Sequence, residues 1–478
     1  MAAPGRCGFF VQKKNRFCKM VVGKGKQFCG EHATMEEVGG SKRIPCPLDP
    51  KHTVTKDKLE KHLKKCNSRE KPRAVYFVKN INAGPSGGDE NIPQVGLSER
   101  SRAELESLVD KLKTAVQGLQ WDVEDKILSH LVLQDELTNP KNGDSAHKHL
   151  KQQTSILGHL EDLGLLRRGR CFVEFGAGRG KLSHWIHEAL KTHEILKTHE
   201  DMKTQEDLQL LLVERSSTRF KVDGKHQDTR AEFERLQVDI QHLDLRKVPL
   251  LQQKKLPLVG VGKHLCGAAT DLALRCLLET SKVREETEPA PKRLRSSEPS
   301  EPRSGEDPET PEPGSGIGPV LGLAVALCCH HRCEWRHYVG QRFFLQNGLG
   351  PAEFSAFCRM SSWATCGLRP ANQDCPSQDP TNQRAELEGH EPADETDAVS
   401  WLSSAEERQQ VGRLCKLLID SGRLDFLKTE GFSGKLTRYV EPQVTLENML
   451  LTAVTAEPGS DSCTLLFLCC VLMFDGKN

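Results

Sequence analysis

The sequence predicts an α/β protein built on a mostly parallel sheet, preceded by two small Cys/His-rich modules and a helical connector. Three observations predict it. From about residue 145 onward, short apolar runs alternate with helical segments, as expected of parallel strands covered by helices on both faces. Residues 1–70 are basic and rich in Cys and His. Between these zones, apolar residues recur at intervals of three and four, the period of a helix.

The bulk numbers are consistent with this division. A chain of 478 residues has room for several units, one of them with a sizeable core. The net charge of +1 conceals an asymmetry. Residues 1–75 carry 18 Lys and Arg against 7 acids, whereas residues 374–407 carry one Arg and ten acids. The basic end is either the footprint of a polyanion or a solvated tail. No apolar leader precedes Cys7, and no run of about 18 apolar residues occurs. An intracellular protein, nuclear or cytoplasmic, with reduced thiols is therefore expected; PKRLR at 291–295 is too short to decide nuclear entry.

The first module, residues 1–35, brings Cys7, Cys18, Cys29 and His32, a CCCH set. Lys13, Lys14, Arg16, Lys19, Lys24 and Lys26 lie among these residues with Phe9, Phe10, Phe17 and Phe28. Basic and aromatic side chains together suit RNA contact through phosphates and stacking, although some phenylalanines must form the small core. The second module, residues 43–70, brings Cys46, His52, His62 and Cys66. His62 and Cys66 are spaced for one helical face, and Cys46 and His52 fall in the PCPLDPKH loop. Four N/S donors suit a closed tetrahedral zinc site, which a unit this small needs as a staple. The spacing resembles the CHHC finger of a spliceosomal protein and of tRNA methyltransferases.

Residues 71–97, rich in Gly, Pro and Asn, are expected to form a flexible linker. Residues 98–140 are expected to be helical, with Leu105, Leu108, Leu112, Val116, Leu119, Val123, Ile127 and Leu131 on one stripe. Ser98 or Ser101 would cap it, and Gly118 interrupts it. The stripe either packs on the next domain or forms a short coiled coil.

Candidate strands in the large domain, 145–478, are Cys171–Phe175, Gln209–Val213, Arg235–Val238, Leu256–Val261, Leu321–Leu327, Leu436–Val440 and Thr464–Phe474. A near-repeat at 191–207 reads as a surface excursion. Residues 283–318 and 370–408 are too polar to bury a core and are expected to be disordered insertions.

The strand CFVEF ends in Glu174-Phe175-Gly176-Ala177-Gly178-Arg179-Gly180, followed by the helical KLSHWIHEALK. Glycines at such a turn let the backbone approach a ligand closely. A dinucleotide fold wants G-x-G-x-x-G, but its third glycine is Lys181 here. The E-x-G-x-G-x-G found instead resembles motif I of the Rossmann-like class I methyltransferases, whose turn wraps the amino-acid part of S-adenosyl-L-methionine. Glu214, at the tip of the next strand, is placed to bond both ribose hydroxyls, and the resemblance implies that Asp239, at the tip of the third, contacts the adenine edge. The alternatives for these acids are helix capping and solvated loop positions.

Two polar clusters follow later strands: Gly262-Lys263-His264-Leu265-Cys266-Gly267, and Cys328-Cys329-His330-His331-Arg332-Cys333. With KHLCG, ALCCHHRCEW and RYVEPQVTLENMLL, the chain resembles the tRNA:m(4)X modification enzyme family over residues 1–70 and about 145–455. Those are eukaryotic tRNA 2′-O-methyltransferases acting on nucleotide 4 of the acceptor stem. The resemblance implies methyl transfer from S-adenosyl-L-methionine to a tRNA ribose, with CCCH and CHHC zinc fingers docking the acceptor region.

A ribose hydroxyl needs a base, or a cation that favours the developing alkoxide. Lys263, with burial lowering its pKa, His264 and His330 are the catalytic candidates, and His330, His331 and Arg438 are expected either to hold the phosphate or to assist proton removal. The Lys–Asp–Lys–Glu set common among 2′-O-methyltransferases cannot be laid on this sequence, which leaves the base open. CCHHRC offers a metal alternative, against which stands the alternation of strand neighbours between faces. An RNA-binding or splicing adaptor with an inactive methyltransferase fold is the second functional class. An oxidoreductase is disfavoured by the missing glycine, and nitrogen methylation by the absence of an Asn/Asp-Pro-Pro-aromatic motif.

Overall fold

A computed structural model of the chain describes residues 4–12, 16–23, 25, 27–29, 32, 43–66, 73–85, 95–119, 123–195, 207–216, 231–279, 316–366 and 404–456. They fall into two compact units, residues 1–74 and 75–478.

The smaller unit holds two hairpins. Strands β1 (Phe10–Val11) and β2 (Arg16–Phe17) pair antiparallel, and β3 (Arg43–Cys46) and β4 (Asp49–Thr55) form a second antiparallel pair, followed by helix α1 (Leu59–Leu63). PCPLDPKH is thus not a loop. Cys46 ends one strand and His52 lies within the next, the chain reversing between Cys46 and Asp49.

In the larger unit, residues 75–84 do not behave as the expected linker. Phe77 bridges to Leu243, and the Asn82 side chain, 1 % exposed, donates to the carbonyls of Ile240 and Leu243 at 2.6 and 2.8 Å. An asparagine that satisfies two buried carbonyls fixes the segment against the domain. The helical stripe is also shorter than expected. Helix α2 (Arg102–Gln117) is capped by the Ser101 side chain, which accepts from Glu104 N–H while Glu104 accepts from Ser101 N–H, and it stops at Gly118. Val123, Ile127 and Leu131 lie beyond it, Val123 just before the short strand β5 (Glu124–Asp125) and the other two past it. Leu105, Leu108, Val109, Leu112 and Ala115 are buried with Phe344, Phe354, Phe357 and Leu418, so α2 spends its apolar face inside the same domain and leaves none for a coiled coil.

After α3 (Gln134–Thr138) and α4 (Asp144–Asp162) come β6 (Arg170–Phe175), α5 (Lys181–Ile195), β7 (Leu208–Glu214), β8 (Glu232–Gln237), α6 (Pro249–Lys254), β9 (Leu258–Leu265), α7 (Ala268–Leu278) and β10 (Val320–Leu327). Helices α8 (Gln341–Gln346), α9 (Pro351–Met360), α10 (Trp363–Cys366) and α11 (Ala405–Thr429) precede β11 (Phe432–Arg438) and β12 (Met449–Thr455). The sheet order is β5-β11-β12-β10-β9-β6-β7-β8. Strands β6 to β10 are mutually parallel, and β12 lies antiparallel between β10 and β11. Inserting β12 there departs from the dinucleotide order 3-2-1-4-5-6, while the order reversal next to β6 keeps the ligand crevice. Hydrophobic clusters cover both faces of the sheet, as the apolar strands require.

The antiparallel strand MLLTAVT was not among the expected strands, and the expected strand Thr464–Phe474 lies outside the described residues. Of the two expected insertions, residues 283–315 and 370–403 lie outside the described residues, and one edge of each is described. Ile317 packs against the core, and Ser404 caps α11 through the N–H of Glu407, so 316–318 and 404–408 belong to the ordered domain. The near-repeat begins inside α5, which runs to Ile195.

One buried charge cluster ties α11 to the ends of the central strands. The Arg423 guanidinium donates to both Asp271 oxygens at 3.1 and 2.7 Å and to Asp420 at 2.8 Å, and Asp420 also bonds His330 Nε2 at 2.8 Å. All four residues are 2 % exposed or less. Burial opposes the Asp420 charge, but His330 and Arg423 outweigh it and hold that carboxyl below its usual range. Removing one partner strands the others without water. Arg423→Met is expected to destabilise the large unit by about 3 kcal/mol or more, read as a lower urea midpoint; an unchanged midpoint would show that the cluster contributes nothing net.

Candidate functional site

The cofactor turn is assembled from the ends of three parallel strands. Gly176, Gly178 and Gly180 all adopt positive φ, 63°, 49° and 68°, a path that a side chain would strain. A Cβ on Gly176 would also lie 2.9 Å from Leu265 Cδ2. The turn is held from beneath: Ala177 N–H donates to the Val213 carbonyl at 3.0 Å, and Gly178 N–H donates to Glu214 Oε2 at 3.0 Å. Arg235 closes it from β8 by donating to the Gly178 carbonyl at 3.0 Å.

Glu174 sits below the turn, 3 % exposed. The Ser183 N–H and hydroxyl, in the first turn of α5, both donate to its Oε2. Burial pushes its carboxyl up to about 7, against those hydrogen bonds and the charges of Arg235 and Lys263. Glu174 is therefore a support for the turn and the helix start. Glu214 differs. Burial pushes it up, but the Ser216 N–H and hydroxyl and the Gly178 N–H outweigh this and hold it below the usual range, so it is an anion at the tip of β7. Asp239, just past β8, caps a short helical turn by accepting from Gln241 N–H at 3.0 Å. Its Oδ2 is directed to Arg215 at 3.7 Å. Capping uses one Asp239 oxygen only, so ligand contact through the other stays compatible with it.

The KHLCG and CCHHRC segments lie at the adjoining strand ends. Where β9 pairs with β10, Lys263 is opposite Ala326 and Leu265 opposite Leu327, so His264 is bulged out, exposed, with φ 64°. A non-glycine residue in this conformation is strained, and the bulge turns it away from the ladder. The Lys263 ammonium is half-buried and lies 3.0 Å from both His149 Nδ1 and Gln152 Oε1 of α4. His149 and Gln152 were not anticipated. The signal available was the unbroken polar run KQQTS inside a helix that is buried on that stretch. His330 faces inward to Asp420, 2 % exposed, and supports its loop. His331 is exposed, and Arg438 pairs with Asp125 at 3.1 Å beside the edge strand.

In the smaller unit all eight Cys/His residues converge in two quartets. The first has Cys18 and Cys29 Sγ 4.0 Å apart, with His32 Nδ1 3.5 and 3.3 Å from Cys7 and Cys29. The second has Cys46 and Cys66 Sγ 3.8 Å apart, His62 Nε2 3.2 Å from Cys46, His52 Nε2 3.5 Å from Cys66, and the two imidazole nitrogens 3.0 Å apart. Tetrahedral zinc with bonds of about 2.3 Å to sulfur and 2.0 Å to nitrogen has edges of roughly 3.3–3.8 Å. Both donor sets fit zinc. Asp49 lies 3.6 Å from His52 Nδ1, the carboxylate that orients a ligating imidazole. Phe9 stacks on His32 at 3.9 Å, while Phe10, 41 % exposed, meets Phe17 edge-on. Phe9 thus belongs to the module's own packing.

The family model described as "Methyltransferase TRM13" matches residues 151–454, and models for a CCCH zinc finger in TRM13 protein and a U11-48K-like CHHC zinc finger match 5–33 and 43–67. The chain belongs to the TRM13 methyltransferase family. Relatives named tRNA:m(4)X modification enzyme TRM13 homolog, from Mus musculus and Homo sapiens, are each 51 % identical, covering 95 % and 97 % respectively of both chains. The TRM13 protein of Yarrowia lipolytica is 30 % identical over 93 % of this chain and 89 % of its own. No solved structure matches. The TRM13 family implies S-adenosylmethionine as methyl donor and zinc in both fingers.

Glu174 gives this site a pH signature. Its native value of about 7 exceeds the ordinary 4.5, so the folded chain holds the proton more tightly than the unfolded one. Its contribution to stability is therefore lost as pH rises from about 4.5 to about 7, at most about 3 kcal/mol. Urea midpoints of wild type and Glu174→Gln are expected to diverge across that window, the variant losing less; parallel curves would contradict the assignment.

Proposed function

We propose that this TRM13-family chain transfers a methyl group from S-adenosyl-L-methionine to the ribose 2′-hydroxyl of nucleotide 4 in the acceptor stem of tRNA. The observation that carries the proposal is the 51 % identity, over 95 % of both chains, to a protein whose name states tRNA and position 4. The glycine turn with an anion at the tip of β7 supports the cofactor half. Bound there, S-adenosyl-L-methionine supplies an electrophilic methyl on a sulfonium. Gly176–Gly180 admit its amino-acid part, Glu214 accepts from the ribose hydroxyls, and Asp239 reads the adenine edge.

The chain's residues then have to orient and deprotonate a hydroxyl. Lys263, held by His149 and Gln152, places a cation at the end of β9 where it favours a developing alkoxide. His264, bulged and exposed next to it, is the proton acceptor. His330 is left out of this assignment and acts as a positioning residue through Asp420. The basic CCCH and CHHC modules dock the acceptor region, and an intracellular location follows from a tRNA substrate. None of the helices among the described residues is long and apolar enough to cross a membrane.

Purified full-length chain, incubated with labelled S-adenosyl-L-methionine and unmodified tRNA, is expected to yield a 2′-O-methylated nucleoside at position 4. A product elsewhere, or none, would refute the proposal. Lys263→Met should lower kcat at least about 100-fold with little change in cofactor affinity. A loss confined to cofactor affinity would move Lys263 out of the chemical step.

A further inference from the structure

Three cysteines outside the fingers meet at the carboxyl ends of the central strands. Cys266 follows β9, and Cys328 and Cys329 follow β10; their Sγ atoms all lie within 4.8 Å of one another, with Cys266 and Cys328 3.1 Å apart. Adjacent residues on a strand point to opposite faces, but β10 ends at Leu327, so Cys328 and Cys329 are released from that alternation. The two loops are locked together by backbone. Gly267 N–H donates to the Cys329 carbonyl at 2.9 Å, and Ala268 N–H to the Arg332 carbonyl at 3.2 Å. Gly267 has φ 57°, and a Cβ there would lie 2.4 Å from the Arg332 carbonyl oxygen, so the close approach of the loops depends on glycine.

We propose that Cys266, Cys328 and Cys329 form a third metal site, distinct from both finger quartets, which takes zinc through three thiolates. The donor set is all sulfur, which selects thiophilic d10 cations over magnesium or calcium. Cys329 is buried, Cys328 half-buried and Cys266 exposed, so the ion is anchored from inside and its fourth position opens to solvent, as in zinc sites with three protein ligands. Binding forms three Zn–S bonds and releases three thiol protons to solvent, leaving a net charge of −1 on the centre. The Arg332 guanidinium is close enough to act on Cys266 and offsets that charge. The ion clips the end of β9, which carries Lys263 and His264, to the loop carrying His330. It fixes those side chains without touching substrate.

Metal analysis of the full-length chain, purified without chelator under reducing conditions, tests the site independently of methyl transfer. Wild type is expected to hold three zinc ions per chain, Cys266→Ser/Cys328→Ser two, and the finger variant Cys46→Ser/Cys66→Ser also two. The single Cys266→Ser change, at an exposed position, should also lower the count toward two while leaving the thermal transition of the large unit in place. Two ions in wild type, or three retained in Cys266→Ser/Cys328→Ser, would overturn the site. So would an intact mass two hydrogens short with two metal ions, since that marks a Cys266–Cys328 disulfide in place of a metal.

Discussion

The backbone path from β6 into α5 is the constraint on which the rest of the site depends. Three glycines at positive φ let the chain turn sharply enough for α5 to begin at Lys181, yet such a turn has few contacts of its own. It is held by groups from each neighbouring strand: the Val213 carbonyl and Glu214 carboxylate from β7, Arg235 from β8, and Leu265 from β9 pressing on Gly176. The same Glu214 that braces Gly178 is the anion that the proposed function assigns to the cofactor ribose, so one carboxylate would serve both the turn and the ligand.

The opposite side of the crevice is organised by buried charge. Arg423, Asp271, Asp420 and His330 are buried and bonded to one another, a costly arrangement that is tolerable because each carboxylate meets the Arg423 guanidinium within hydrogen-bond reach. Its members come from α7, α11 and the loop after β10. The cluster thereby fixes the two loops that carry the three cysteines, the first of them directly after Lys263 and His264 at the end of β9. The bulge that expels His264 and the glycine that lets Cys266 approach Cys329 are local solutions to the same requirement, which is to bring two polar loops into contact at strand ends.

Much of this was legible in the sequence, and where it was not, the reasons are physical. The strands of the parallel core announce themselves as continuous apolar runs, so β6, β7, β9 and β10 lie within a residue or a few of their expected limits. The glycine turn and the eight finger ligands are local patterns, and the coordinates bring each set together. Helix α2 was overextended because Val123, Ile127 and Leu131 happen to continue its period beyond Gly118, where the chain turns to other partners. Strand β12 was missed because no glycine or proline stands immediately before MLLTAVT to mark its start. Segment 75–84 looks like linker by composition, but Asn82 finds two buried carbonyls 158 and 161 residues away. Lys263's partners on α4, and the inward course of His330, are likewise long-range facts that no local pattern carries.

The proposed function separates two roles: the β6 turn and the acids beyond it bind S-adenosyl-L-methionine, and the basic finger modules dock the RNA. Calorimetric titration of S-adenosyl-L-methionine into wild type and Asp239→Ala, paired with a tRNA-binding measurement on each, tests it most directly. One site per chain in wild type, an affinity at least about tenfold weaker in the variant, and equal tRNA binding by both is the predicted result. Undiminished cofactor affinity in Asp239→Ala, or no cofactor binding by wild type, would contradict it.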